Sequence, residues 1–384
     1  MNRAPAPSPG KPLSTERVFR YSRGVNLAGP EYGDNGAAYD AASAPNRENP
    51  VSFTAPGVLG TDYAYPTLAD LRFIASRMPD PVCRLNIRIE RLQESVGGPL
   101  RATEAARIRE VLDAAHEAGV GIVLAPWNFG SVWIASGTAT TRHPIGSAQY
   151  PVTAFAGFWA EIARGFGSHP GVSAFDLMIE PVGLPGGARG WEKAAQSALD
   201  AIREVSRSVW AWVPTYGYGL SSLSSHPARW IEDPAGRHGY KGHHYSYNLG
   251  GSQTDYDDAV ASAIDQGYRA GPNADALITR ELGVLAAFRA WLGEAEGYIG
   301  EYGVPQVEHP EVSPDHARKW IAYTERMLQE YDANGWSATA WTAGNVVDPA
   351  YLYSIYYPTG GWTTAVNAAT SAAAVIEAHP TKRG

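Results

Sequence analysis

A single cysteine, Cys83, is all the thiol the chain has, so no intramolecular disulfide can form. It lies in the apolar run 82–87 and reads as a small buried hydrophobe, which leaves the redox compartment undetermined. Charge is also sparse: Asp, Glu, Lys and Arg make up 18% of the 384 residues, and the net charge is −8. No basic stripe is present, so nucleic acid and anionic membrane surfaces are excluded as expected partners. No stretch approaches the roughly 20 consecutive apolar residues of a membrane span, and the N-terminus lacks the apolar core of a signal peptide.

Several chemical signatures are missing as well. His238, His243 and His244 sit close in sequence, but no HExxH or comparable ligand pattern accompanies them, so no metal is expected. The phrase Tyr216-Gly217-Tyr218-Gly219 fits neither the dinucleotide fingerprint nor the Walker pattern, and no cofactor is expected. No G-x-S-x-G elbow occurs, which leaves a serine hydrolase unsupported.

What the chain does have is apolar mass and aromatic rings. Hydrophobic residues reach 44%, ample for a sizeable core. Trp numbers 12 and Tyr 21, more than a core needs, as in proteins that lay flat rings against sugars. Residues 1–15, with Pro5, Pro7, Pro9 and Pro12, read as a disordered proline-rich tail. From residue 16 to 384 no composition shift marks a second domain.

Within that span short apolar strands alternate with amphipathic helices. The strands are expected at 24–27, 82–88, 121–125, 174–179, 209–214, 239–245, 297–300 and 338–342, each followed by a helical pattern. The helices are expected at 68–78, 103–118, 154–166, 191–206, 277–291, 315–331 and 363–378. The clearest is 103–118, where Ile108, Val111, Leu112 and Ala115 share one face and Gly119 supplies the stop. Repeats of strand then helix favour a single-domain α/β fold, a closed (β/α)₈ TIM barrel, over an open sheet. The segments 29–65 and 138–150 are expected as irregular loops on its rim.

Two of these strands end on a glutamate. Phe175 to Ile179 runs into Glu180-Pro181, and Ile299-Gly300 runs into Glu301-Tyr302-Gly303. Burying such strands delivers the terminal carboxylates to the C-terminal rim, where barrel sites lie. Helical glutamates such as Glu110, Glu117, Glu161, Glu204 and Glu325 read instead as solvated faces. The plain alternative for Glu180 and Glu301 is a helix cap or an arginine partner.

The phrases in order, from Arg23-Gly24-Val25-Asn26-Leu27 through Cys83-Arg84-Leu85-Asn86 to Trp341, resemble glycoside hydrolase family 5, the cellulase family of the retaining clan A. The resemblance implies Glu301 as nucleophile and Glu180 as acid/base. It implies that Arg84 holds Glu301 anionic, that Tyr245 steadies Glu301, that His243 helps bind the sugar, and that Trp341 floors the sugar site. Retaining hydrolysis needs two carboxyls about 5 Å apart with split pKa values, and the proximity of Glu301 together with burial would raise that of Glu180. The implied partner is an oligo- or polysaccharide, cleaved within the chain, and the default expectation is a monomer. The family is usually secreted, though nothing in this chain shows export.

Two positions depart from the family pattern. The asparagine that precedes the acid/base is Ile179 here, and a histidine of the third strand is Trp127, followed by Asn128. Isoleucine cannot donate to a sugar 2-hydroxyl, so the expected glycone site differs from that of ordinary cellulases, through another ring form or a substituent. Trp127, Phe129, Trp133, Tyr216, Tyr218 and Tyr247 are candidate sugar platforms, while Trp159, Trp191, Trp291 and Trp320 read as packing residues. Two alternatives stay open: a transglycosylase using the same site, and a catalytically silent carbohydrate-binding barrel.

Overall fold

The computed structural model describes residues 22–33, 51–137, 139–246 and 254–382. The proline-rich tail and Tyr247 lie outside the described residues. In chain order the strands are β1 (Arg23–Leu27), β2 (Val82–Ile87), β3 (Gly121–Pro126), β4 (Ser131–Ser136), β5 (Ala139–Pro144), β6 (Val172–Asp176), β7 (Trp210–Pro214), β8 (His238–His243), β9 (Gly297–Gly303), β10 (Ser337–Ala343), β11 (Tyr356–Tyr357) and β12 (Ala368–Ala369). The helices are α1 (Leu68–Arg77), α2 (Ile89–Leu92), α3 (Ala102–Ala118), α4 (Val152–Phe166), α5 (Gly187–Val205), α6 (Tyr256–Asp265), α7 (Ala276–Leu292), α8 (Pro314–Asn334) and α9 (Ala372–Glu377).

Strands β1, β2, β3, β6, β7, β8, β9 and β10 pair in that order, all parallel, and β1 also pairs with β10. The sheet therefore closes into a (β/α)₈ barrel. The seam is tied outside the ladder too: the Arg23 guanidinium donates to Trp336 O at 2.7 Å and to Asp332 Oδ1 at 2.5 Å.

The strands are buried on both faces because helices cover the outside and side chains fill the lumen. Cys83 faces the helices and is fully buried, as its apolar surroundings suggested. In the lumen, Val82, Val123, Ala174, Trp212 and Tyr298 form their own apolar cluster. The period of two then places Arg84 above Val82 and Asp176 above Ala174, so the next lumen layer is charged.

Helix boundaries follow local chemistry. Thr67 and Asp70 form a capping box at the start of α1, and Gly119 ends α3 in the left-handed conformation at φ 76°. Ser313 caps α8 ahead of Pro314 at its first turn. Trp159, Trp191 and Trp320 are buried between helices and barrel, and Trp291 is half-buried, donating to His226 O.

Four expectations need correction. The segment 138–150 is not irregular: β4 and β5 pair antiparallel across Gly137, helped by β-branched Val132, Ile134, Thr140 and Thr141. No α-helix follows β7; its place holds a 3₁₀ turn over Leu220–Ser225, because a serine-rich stretch after Gly217 and Gly219 offers little helix propensity. The helix expected over 363–378 shrinks to α9, since the Asn367 side chain bonds to Thr359 and sets up the β11–β12 pair instead. Finally, β6 stops at Asp176; residues 177–179 leave the ladder, their backbone N–H groups donating from Leu177 to Trp212 O and from Ile179 to Pro126 O, both at 3.0 Å.

Candidate active site

Both strand-end glutamates meet at the C-terminal mouth of the barrel. A carboxylate oxygen of Glu180, a ring nitrogen of His243 and a carboxylate oxygen of Glu301 all lie within 4.8 Å of one another. Glu301 is carried by β9, in register with His243 on β8, and is buried. Glu180 follows the loosened end of β6 and sits in the left-handed region at φ 39°, with its side chain 16% exposed.

The two carboxyls have unlike neighbours. Glu301 Oε1 accepts from Arg84 Nη2, and Oε2 accepts from the Tyr245 hydroxyl at 3.1 Å. Glu180 Oε1 lies 2.8 Å from His243 Nδ1, which is also 3.4 Å from Glu301 Oε2. Arg84 Nη1 faces His243 Nε2 at 3.2 Å, and because guanidinium can only donate, Nε2 must accept and Nδ1 must carry the proton. Burial, Lys241 and Arg84 together push the His243 imidazole well below its ordinary value, so it is neutral. In this tautomer the Nε2 lone pair faces Arg84 and the Nδ1 proton faces Glu180.

Burial pushes the Glu180 carboxyl well above the usual carboxylate range, and the nearby Glu301 charge pushes it further. Burial raises Glu301 too, against the opposing pull of Arg84, Lys241 and Tyr245. The Arg84 guanidinium acts in the direction expected of it, favouring the anion, and limits the rise that burial causes. The pair still splits in the right sense, since a shared proton goes to Glu180, the partner without the arginine. Arg84 itself is buried, which lowers its pKa, but Glu301 and Asp176 more than compensate and hold it charged.

A lower shell positions these groups. Asn26 accepts from Arg84 Nε at 2.5 Å and donates to Gly300 O at 3.1 Å. Asp176 Oδ2 receives Arg84 Nη1 at 3.3 Å and Lys241 Nζ at 2.7 Å. Sequence reasoning missed Asn26, Asp176 and Lys241, although each is a polar residue inside a predicted strand and buried.

Other expected site residues fall elsewhere. Trp127 lies flat on Trp341, with ring centroids 4.9 Å apart and planes inclined by 16°, and Phe129 meets its edge at 5.2 Å. Trp341 is only 4% exposed, with its indole N–H donated to Tyr351 at 3.0 Å, so the half-buried Trp127 covers the ring expected to floor the site. Asn128 is not free to hold a sugar: its amide donates to Glu90 and Ser131 O, and its oxygen accepts from Ile89 N. Ile179 is wholly covered and offers no contact surface. Tyr216 accepts from Gly183 N, whereas Tyr218 stands 59% exposed above the β7 end. His244 is bound to Tyr331 and Glu281, away from the carboxyl pair.

Two carboxyls gathered at the C-terminal strand ends of a parallel barrel are the arrangement that O-glycosyl hydrolases require. The cellulase model, glycosyl hydrolase family 5, matches residues 81–346, more than half of the chain. The chain belongs to glycosyl hydrolase family 5. Among solved structures it is similar to endoglucanase Cel5A of Pseudomonas stutzeri, at 24% identity, with 93% of each chain covered and a TM-score of 0.67. It is similar as well to an endo-beta-1,4-glucanase from Xanthomonas axonopodis pv. citri, at 23% identity, covering 94% of this chain and 98% of that one with a TM-score of 0.66. Endoglucanase Cel5A of Thermotoga maritima matches at 16% identity, covering 89% and 94%, with a TM-score of 0.59. At these identities the structures establish the shared fold, and the family match establishes the glycosidase.

Proposed function

We propose that the protein cleaves a β-linked oligo- or polysaccharide within the chain by double displacement, with Glu301 as nucleophile and Glu180 as acid/base. The observation that carries this reading is the carboxyl pair within 4.8 Å, one member on Arg84 and Tyr245, the other on a neutral imidazole. That spacing leaves no room for a water between nucleophile and anomeric carbon, in keeping with retention.

In the first step a Glu301 oxygen bonds to the anomeric carbon while the glycosidic C–O bond breaks, and the leaving oxygen takes the proton of Glu180. In the second, water gives its proton to the Glu180 carboxylate, its oxygen bonds to the anomeric carbon, and the Glu301 carboxylate is released. Arg84 and Tyr245 hold the attacking oxygens in place, and the high pKa of Glu180 keeps its proton available near neutral pH. The endo-acting glucanases of similar fold, one solved with cellopentaose, support an extended oligosaccharide as ligand.

The glycone site departs from ordinary cellulases. Trp127 presents an indole where the family has a histidine, and Ile179 removes the donor expected beside the acid/base. The glycone bound here therefore meets an apolar wall on that side, in keeping with a different ring form or a substituted sugar. Mass analysis of products from a panel of β-glucans and furanoside-containing glycans, with the parent and Glu301→Gln, tests the reading. Turnover by the parent alone supports it; binding without turnover by either favours a silent carbohydrate-binding barrel. A new glycosidic bond in the products would mark a transglycosylase.

A further inference from the structure

Below the carboxyl pair lies a charged contact that the reaction itself does not require. Lys241 sits on β8, two residues before His243, and is 1% exposed. Its ammonium lies 2.7 Å from Asp176 Oδ2 and 2.9 Å from the carbonyl oxygen of Met178. Met178 is two residues before Glu180, in the segment that has already left the β6 ladder. The backbone that presents Glu180 is thus held at four points: by Trp212 O, by Pro126 O, by the Trp159 indole N–H on Leu177 O, and by Lys241, the only charged side chain among them. It ends on Glu180 in a left-handed conformation at φ 39°, which an L residue adopts only where its surroundings impose it.

Room for this lysine is built into the neighbouring strand. A Cβ at Gly300 would stand 2.5 Å from Lys241 Cδ and 3.0 Å from Arg84 Nη1, so the β9 backbone has to be bare at that point. Such a pair is a poor device for stability. A buried lysine and aspartate lose hydration, and apolar replacements of similar shape are often neutral or better. Burial indeed pushes the ammonium down to about 8 despite Asp176 beside it. The charges nonetheless balance: Arg84 and Lys241 oppose Asp176 and Glu301 when Glu180 is protonated and His243 neutral.

We propose that Lys241 is a positioning residue for Glu180: by tying Asp176 to the Met178 carbonyl, its ammonium fixes the turn that aims the Glu180 carboxyl at the leaving oxygen. The role rests on Glu180 being the acid/base. It predicts a defect in proton donation and not in nucleophilic attack once Glu301 is ionised; because Lys241 also lowers the Glu301 pKa, the comparison is made on the pH plateau above the acidic limb, where leaving groups separate the two. A dinitrophenolate departs without protonation; a methoxide or a sugar does not.

The test measures kcat/KM of the parent, Lys241→Met, Lys241→Arg and Asp176→Asn on matched 2,4-dinitrophenyl and methyl β-glycosides of cellobiose and of galactofuranose. Lys241→Met is expected to lose about thirtyfold or more on the methyl glycosides but less than about threefold on the dinitrophenyl ones. Lys241→Arg, which keeps the charge but not the single compact ammonium, is expected between parent and Lys241→Met. Equal losses on both leaving groups in Lys241→Met, or none, overturn the proposal. If Lys241→Met does not fold, Lys241→Gln takes its place in the same comparison; Asp176→Asn serves as the contrast, since Asp176 also holds Arg84 and its loss is expected to fall on both leaving groups. A parent that turns over no glycoside of either kind overturns the acid/base reading and this role with it.

Discussion

Strands β6, β8 and β9 bring two carboxyls and an imidazole to the barrel mouth, with the Tyr245 phenol just beyond β8, all linked by hydrogen bonds. Strands β3 and β10 bring two indoles that lie flat against each other. The first region can move a proton and hold a developing charge. The second can do neither, and offers only shape and apolar surface. Under the proposed function, chemistry and recognition fall on different strands, so substitutions on one side should leave the other's property standing.

The sharpest way to break the comparison is Glu301→Gln, which should abolish turnover, by on the order of a thousandfold or more in kcat, with sugar binding retained. Glu180→Gln should follow at roughly a hundredfold to ten-thousandfold on glycosides with poor leaving groups, and far less on dinitrophenyl glycosides. Tyr245→Phe removes a hydrogen bond to a charged oxygen and should cost about 1.5–3 kcal/mol of transition-state stabilisation. It should also shift the pH profile: the lost bond was lowering the Glu301 pKa, so that pKa rises and the acidic limb moves to higher pH. The smallest effect belongs to the indole side. Trp127→Ala should raise KM about tenfold while leaving kcat and both limbs nearly unchanged. A Trp127 variant that shifted a limb would show that the two regions are coupled after all.

The barrel was legible because its strands are short apolar runs bounded by breakers and its helices carry strong caps, as at Thr67, Gly119 and Ser313. What escaped were elements decided by a few side-chain bonds. Asn367 turning to Thr359 ended a helix that periodicity had extended, and the β4–β5 hairpin went unread although β-branched residues lie on both of its strands. At the site, Glu180, Glu301, His243 and Tyr245 come together because they sit at or just beyond strand ends, and Arg84 reaches them from inside the barrel on β2. Asn128 and Trp341 were misread for another reason. Their neighbours in space, Glu90 and Trp127, come from different strand ends, and only the closed barrel shows that they occupy one another. The lower shell had a readable signal that went unused: Asn26, Asp176 and Lys241 are polar residues inside strands buried on both faces.

The seam between β1 and β10 sets an order of events during synthesis. The first strand leaves the ribosome with one edge that only the last barrel strand can satisfy, so that edge waits while almost the whole chain is made. The contacts that finish the seam, from Arg23 to Asp332 and Trp336, join residues that are among the most distant in sequence, and loop closure makes such contacts slow to form. The same seam places Thr381 Oγ1 2.9 Å from Arg23 N, so the beginning and end of the barrel nearly touch. A gene rearranged to start at another rim loop, with the old ends joined across this point, should therefore still encode the same barrel while changing which strand has to wait.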